Sequence, residues 1–156
     1  MDKEKVAPAI GRITSGLYIA TGILDDEPVG MLCSFVEQAG FNPPMVTIAL
    51  APDRRVAEAA RESKRIGLNI LSAENNRLIG PFANPNSENP FEDVELVDND
   101  YQLPQLADTL AFLVCELRNE IEAGDHHVYL FEITDGELLD TQLEPMVRVR
   151  KNGFSY

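Results

Sequence analysis

Residues 17–24 read LYIATGIL, residues 29–35 read VGMLCSF and residues 45–51 read MVTIALA. Each run is short and apolar, carries β-branched or aromatic residues, and is bounded by Asp, Pro, Gly or Asn, which is the pattern of a β-strand. Runs of the same kind follow at residues 67–71, 110–117, 128–134 and 146–150. The sequence therefore predicts a mainly β protein.

Helices are few in this pattern. Residues 54–64 predict one helix, with Asp53 placed to cap it and Gly67 soon after its end. Residues 73–79 predict a shorter helix that ends at Gly80, and residues 7–13 are compatible with a brief third. Because strands and helices do not alternate, a doubly wound parallel sheet is disfavoured. The pattern favours an antiparallel barrel or sandwich with helices packed outside it.

The chain of 156 residues has the size of one domain, and we expect a single domain over residues 1–156. The one shift in composition is residues 84–100, NPNSENPFEDVELVDND. We interpret this segment as an irregular excursion rather than a linker. The apolar side chains that could anchor it are Phe91, Val94, Leu96 and Val97.

The charge of the chain excludes several classes of function. The net charge of −13 disfavours nucleic acid and anionic membrane surfaces as partners, since both attract clustered Lys and Arg. No run approaches the roughly 20 apolar residues of a membrane span, and the first residues do not resemble a secretory signal. We therefore expect a cytoplasmic protein in which Cys33 and Cys115 are buried, reduced thiols.

Common catalytic and metal motifs are missing from the sequence. GRITSG at residues 11–16 lacks the ending of a phosphate-binding P-loop, and neither GxGxxG after a strand nor GxSxG occurs. His126 and His127 are adjacent, so on a strand they point to opposite faces. With two remote cysteines they offer no recognised ligand spacing, and we predict no metal site.

The junction at residues 49–56, ALAPDRRV, is the first positive signal. A strand ends at Pro52 and a helix begins near Asp53, and the first turn of a helix can receive a phosphate through its free N–H groups and its dipole. Arg54 and Arg55 lie on that turn, where the dipole opposes cations. Either a bound anion compensates them, or they extend into solvent or pair with Glu58 and Glu62. The sequence leaves both alternatives open.

Two further segments place a polar side chain at the end or the start of a strand, where it could take part in a binding site. Residues 30–44, GMLCSFVEQAGFNPP, carry Ser34 at the end of an apolar strand and then a rigid Asn-Pro-Pro turn. Residues 124–127, GDHH, form a turn that places His126 at the start of a strand. Taken alone, the first segment is merely a strand connection, and a lone histidine such as His126 is more often structural than functional.

The order and spacing of five segments resemble a known family. These segments are GRITSGLYIATG, GMLCSFVEQAGFNPPMVTIAL, GLNILS, GDHHVYLFEIT and the ending RVRKNGFSY. From about residue 10 to residue 156 the chain resembles the flavin reductase-like domains of the FMN-binding split-barrel group. In particular it is similar to the reductase-like domain of cyanobacterial diflavin flavodiiron proteins.

The resemblance implies a six-stranded antiparallel split β-barrel with a few flanking helices. It also implies a homodimer with FMN near the interface. Matched segment by segment, it assigns flavin contacts to Leu32, Cys33, Ser34 and Phe35, largely through backbone groups. It places the phosphate end of the cofactor near Asp53, Arg54, Arg55 and Val56.

The same resemblance implies the activity of an NAD(P)H-dependent flavin reductase. His126 would lie near the flavin and the nicotinamide, as the catalytic residue of the set, and FAD could replace FMN. The electrons would go to free flavin, iron, oxygen or a partner protein. A different class of function is an electron-transfer module that carries flavin and serves a partner protein. A barrel holding haem or pyridoxal phosphate matches the sequence poorly.

Overall fold

A computed structural model of the protein describes residues 1–84, 87 and 89–155. The chain is mainly β, as predicted. The helices are α1 (Lys3–Ile10), α2 (Arg55–Ser63) and α3 (Asn76–Ala83). The strands are β1 (Ser15–Gly16), β2 (Tyr18–Leu24), β3 (Glu27–Cys33), β4 (Val36–Phe41), β5 (Pro44–Leu50), β6 (Arg65–Ile70), β7 (Leu96–Val97), β8 (Gln105–Leu106), β9 (Ala111–Ala123), β10 (His126–Leu138) and β11 (Val147–Arg148).

Seven strands form one antiparallel sheet in the order β3-β2-β6-β9-β10-β5-β4. The two edge strands, β3 and β4, are separated in the chain only by Ser34 and Phe35. The sheet must therefore curl so that its edges approach one another. At that point the Ala49 N–H donates a hydrogen bond of 2.9 Å to the Phe35 carbonyl.

The expected number of six strands is corrected to seven for this sheet. The strand that the sequence pattern missed is β4, whose residues VEQAGF are polar and mostly exposed. A strand at an edge needs no apolar face, so it leaves no hydrophobic alternation to detect. The predicted strand at residues 146–150 is reduced to β11, which pairs with β1 outside the main sheet.

All three predicted helices exist, but each prediction placed a boundary wrongly. The helix α2 begins at Arg55, with Arg54 rather than Asp53 in the N-cap position. The Arg54 N–H bonds to the Ala51 carbonyl at 3.2 Å, so the turn takes up one more residue before the helix begins. Asp53 is exposed and does not cap the helix.

The other two helices are shifted along the chain. The helix α1 starts at Lys3 because the Asp2 side chain accepts hydrogen bonds from the Glu4 and Lys5 N–H groups. The helix α3 starts at Asn76, after Asn75, whose side chain makes no cap bond to the helix but accepts a hydrogen bond of 2.7 Å from the Ser72 N–H. It continues through Gly80 to Ala83, so Gly80 is not its end.

The main core lies between the curled sheet and α2. Val56, Ala57, Ala59 and Ala60 of the helix are buried against inward side chains of the sheet such as Phe131. A second cluster joins Leu78 and Phe82 of α3 to Phe91. Phe91 and the partly buried Val94, which packs against the same cluster, are thus the predicted anchors of residues 84–100, whereas Leu96 and Val97 are exposed. Pro85, Asn86 and Glu88 of that segment lie outside the described residues.

Gly30 of β3 lets α3 pack closely on the sheet. A Cβ atom there would lie 2.7 Å from Phe82 and 2.9 Å from Phe91, whereas at Gly80 it would meet nothing within 4 Å. We expect Gly30→Ala to lower the free energy of unfolding by about 1–3 kcal/mol, because overpacking must displace both rings. Gly80→Ala is the control, and it should change the free energy of unfolding by less than about 0.5 kcal/mol. Alanine favours the helix more than glycine does, but its Cβ atom is crowded by the following Pro81. Thermal unfolding of the two variants checks the difference, and equal stabilities would contradict it.

Candidate functional site: a pocket along an edge strand

A pocket of about 460 Å³ lies along the edge strand β3. Seven consecutive residues, from Pro28 to Ser34, line it. Because β3 pairs only with β2 in the described sheet, one row of its backbone N–H and C=O groups has no strand partner. The strand therefore offers hydrogen-bonding backbone groups to the pocket, as edge strands do to ligands and other chains.

The opposite wall is the junction between β5 and α2. Ala49, Leu50 and Ala51 line the pocket, followed by Arg54, Arg55 and Val56. The first N–H groups of α2 have no partner within the helix, and the helix dipole makes this end partially positive. The wall therefore combines two guanidinium groups with a helix N-terminus, in a chain whose net charge is −13.

The two arginines do not pair along their helix. Arg54 makes a loose ion pair with Asp53 at 3.8 Å, in which its own side chain is 39% exposed and that of Asp53 is 78% exposed. Among the described residues no ion pair joins either arginine to Glu58 or Glu62. The structure therefore does not show pairing with Glu58 or Glu62, whereas the exposed Arg55 agrees with the alternative in which these side chains extend into solvent.

His126 reaches the pocket from the β9–β10 hairpin. Gly124, with a φ of 73°, makes the turn, and β10 begins at His126, as predicted. The His126 ring lies edge-on to Phe35 with centroids 5.6 Å apart, and its Nδ1 is 2.8 Å from Asp125 Oδ1. This bond lowers the pKa of Asp125, so the aspartate is ionised and can orient the ring.

His127 belongs to another environment. Its Nδ1 lies 2.6 Å from Glu120, and its ring stacks on Tyr129 with centroids 6.4 Å apart. His126 lines the pocket, whereas His127 does not. The two adjacent histidines thus lie in different environments, in agreement with the alternation of side chains expected on a strand.

Ser34 places a buried hydroxyl group in the wall of the pocket. Its Oγ is buried and makes no hydrogen bond among the described residues. Buried hydroxyl groups are normally paired, and leaving one unpaired costs about 1–3 kcal/mol. A ligand with a suitable donor or acceptor would satisfy it.

Cys33 also lines the pocket, but it is not a nucleophile. Burial raises the pKa of the thiol to about 12, and the same cause raises the pKa of Cys115 to about 12. Both therefore stay protonated at neutral pH, and both are buried, as predicted. Among the described residues, no group of His, Cys, Asp and Glu could hold a metal ion.

Two of the eight predicted cofactor-binding residues do not line this pocket. Asp53 points to solvent, and Phe35 lines a smaller adjoining hollow of about 250 Å³ that shares Ser34 and Ala49 with the pocket. The six that line it are Leu32, Cys33, Ser34, Arg54, Arg55 and Val56. The structure thus brings most of the predicted set together around one space.

Two arginines near the C-terminus were missed by the sequence analysis. Arg148 lines the pocket, and the Arg150 guanidinium lies 4.9 Å above the Phe35 ring. Their spacing is no signal in itself, because Lys3 and Lys5 are also two residues apart and Lys64 and Arg65 are adjacent. The pairing of β11 with β1 and the hydrogen bond from the Arg150 N–H to the Gly11 carbonyl at 3.1 Å bring them to the site.

Residues 10–154 match the family described as flavin reductase like domain. The chain belongs to this family. In Synechocystis, diflavin flavoprotein A 1 is 36% identical over 158 residues, which cover 99% of this chain but only 27% of that protein. The chain thus spans about a quarter of the length of that relative.

Solved structures agree with this assignment. Flavin reductase PheA2 is 28% identical, with a TM-score of 0.82 over 97% of this chain and 95% of that one. The NADH:FAD oxidoreductase SgcE6 of Streptomyces globisporus, in complex with NAD and FAD fragments, is 23% identical, with a TM-score of 0.85 over 97% of this chain and 90% of that one. The second likeness shows the fold. Among the described residues, no helix is long and apolar enough to cross a membrane.

Proposed function

We propose that the chain binds FMN in the pocket along β3 and passes electrons from NADH or NADPH through it to an acceptor. The observation that carries this proposal is the juxtaposition of a free strand edge with the positive end of α2 in one pocket. A flavin nucleotide needs both features, because its ring has polar atoms along one edge and its tail ends in a phosphate.

The β3 side of the pocket fits the ring. A volume of about 460 Å³ is in the usual range for sites of small molecules and cofactors. The free backbone groups of β3 and the unpaired Ser34 Oγ can bond to the polar edge of the ring. Met31 and Leu32 add apolar surface beside them. The Leu32 side chain is apolar, so at this position only the backbone can hydrogen-bond to the ring.

The α2 side fits the phosphate. Arg54 and Arg55 supply charge, and the N–H groups of the first helical turn supply donors. Arg148 adds a third cation to the lining. FAD remains the alternative cofactor, since its pyrophosphate would need the same positive charges.

A bound flavin supplies the redox chemistry, since it accepts a hydride from a nicotinamide and releases electrons to an acceptor. The residues of the chain orient the two partners. The Asp125–His126 pair places an imidazole at the rim of the pocket, where it can hydrogen-bond to the nicotinamide and steer it. The homodimer implied by the family resemblance stays a prediction, and exposed apolar side chains near the smaller hollow (Ile13, Val147 and Val149) support it.

A second function is an electron-transfer module that carries flavin and depends on a partner. The observation that favours it is the coverage of the relatives, because the chain matches about a quarter of diflavin flavoprotein A 1. In a longer protein, the electron acceptor could be another part of the same chain. The pocket would then be the same and only the destination of the electrons would differ.

Flavin absorption and NADH consumption test the proposal together. Protein mixed with FMN and desalted should keep the visible flavin bands, and NADH should be oxidised when free FMN or FAD is the only acceptor. Slow oxidation that a partner protein accelerates would favour the module instead. A protein that stays colourless and has no measurable affinity for FMN or FAD would exclude both.

A further inference from the structure

The helix α2 is tied to the β9–β10 hairpin through Arg61. This side chain lies in the last turn of the helix and runs back toward the helix N-terminus, the usual direction for helical side chains. Its Nε and Nη2 donate to the Glu120 carboxylate at 3.1 and 2.9 Å, and its Nη2 also donates to the Tyr129 hydroxyl at 2.5 Å. Arg61 therefore makes a forked ion pair with the hairpin.

The same guanidinium also holds the start of the helix. Its Nη1 donates to the Pro52 carbonyl at 3.0 Å. Pro52 lies in the turn between β5 and α2, two residues before Arg54. One side chain thus bridges the turn that carries the arginines and the hairpin that carries His126.

On the hairpin, the two residues that accept from Arg61 are fixed by contacts of their own. Glu120 and Tyr129 are directly opposite each other in the β9–β10 register. His127 Nδ1 lies 2.6 Å from Glu120 Oε1, the same oxygen that accepts from Arg61 Nη2. Hydrogen bonding to Arg61 and His127 lowers the pKa of Glu120 to about 2. The carboxylate therefore stays ionised, and the ion pair persists throughout the neutral range.

We propose that Arg61 is a positioning residue for the phosphate end of the pocket, because it fixes the Pro52 turn against the hairpin. This inference rests on the proposed function. Arg61 does not line the pocket. It determines where the first turn of α2, and with it Arg54 and Arg55, stands relative to His126.

The matched variants are Arg61→Lys and Arg118→Lys. Lysine keeps the positive charge in both, so a change in ligand binding does not come from lost charge. At position 61 it cannot reproduce the planar fork that bonds Glu120, Tyr129 and Pro52 together. Arg118 is a fair control because it also bridges two carboxylates of the hairpin, Glu116 and Glu132, both at 2.9 Å, and has no bond to the Pro52 turn.

The ratio of FMN to riboflavin affinity is the readout, because riboflavin has the ring without the phosphate. We expect Arg61→Lys to weaken FMN binding by about fivefold to twentyfold and riboflavin binding by less than about twofold. Arg118→Lys should leave both affinities unchanged. Loss of stability alone would lower both affinities together and leave their ratio as in the wild type.

The outcomes separate this inference from the proposed function. A wild-type protein that prefers FMN, together with an unchanged ratio in Arg61→Lys, overturns the positioning role and leaves the proposed function standing. A wild-type protein without flavin affinity overturns both. If Arg61→Lys does not fold, Glu120→Gln provides the second test, since it keeps the shape and Arg61 but weakens the anchor. It should lower the ratio in the same direction.

Discussion

Replacing Arg54 and Arg55 by alanine together should weaken FMN binding about a hundredfold, while riboflavin binding should fall by less than about threefold. Both side chains line the pocket at the N-terminus of α2, and each would make charge-assisted hydrogen bonds to a phosphate. Two such bonds are each worth about a factor of ten. Titration of the intrinsic flavin fluorescence with protein measures both affinities.

The control for this double variant is Arg77→Ala/Arg118→Ala. It changes the net charge of the protein by the same amount, but neither residue lines the pocket. The two side chains are about half exposed, at 55% and 44%. If the control variant lost as much FMN affinity, only the overall charge would matter. Equal losses of FMN and riboflavin in Arg54→Ala/Arg55→Ala would move the phosphate site to another place.

Replacing His126 by alanine should lower kcat/KM for NADH by about tenfold to a hundredfold. The ring is set at the rim of the pocket by its bond to Asp125 and its contact with Phe35. Its loss removes a hydrogen-bonding group that would orient the nicotinamide, but none of the groups proposed to hold the flavin. FMN affinity should therefore stay within about twofold of the wild type.

Steady-state oxidation of NADH with saturating FMN measures this effect, and the affinity for FMN serves as the internal reference. A variant with full activity would show that His126 is structural. A parallel loss of flavin affinity would show that it supports the flavin pocket rather than the nicotinamide. If the chain is an electron-transfer module, the same comparison should be made with the partner present.

The strands, the helices and most of the candidate site could be predicted because their signals are local. Apolar runs such as residues 45–51 bury one face, and this requirement is written into the order of residues. The Gly124 turn and the start of β10 at His126 follow from turn chemistry. The family resemblance, carried by several segments in a fixed order, added the function and the candidate flavin contacts.

The boundaries of the helices were predicted wrongly, because they are set by hydrogen bonds over two or three residues that the residue types alone do not specify. Asp53 is a good capping residue by type, but the Arg54–Ala51 bond moves the helix start past it. The polar edge strand β4 is paired by β5 and needs no apolar pattern. The pairing of β4 therefore depends on a neighbouring strand and not on the composition of β4 itself.

The sequence by itself determined a mainly β chain with cations near Pro52 and a histidine opening a strand. The tertiary structure decided that these groups face one pocket, and that Arg148 joins them. It also decided that Arg61 ties their two walls together. The physical reason is the sequence separation over which the interactions act. Burial and turn preferences act over a few residues. The pocket walls come from distant parts of the chain, and they meet only when the sheet curls: these parts are β5, α2, the β9–β10 hairpin and the C-terminal strand.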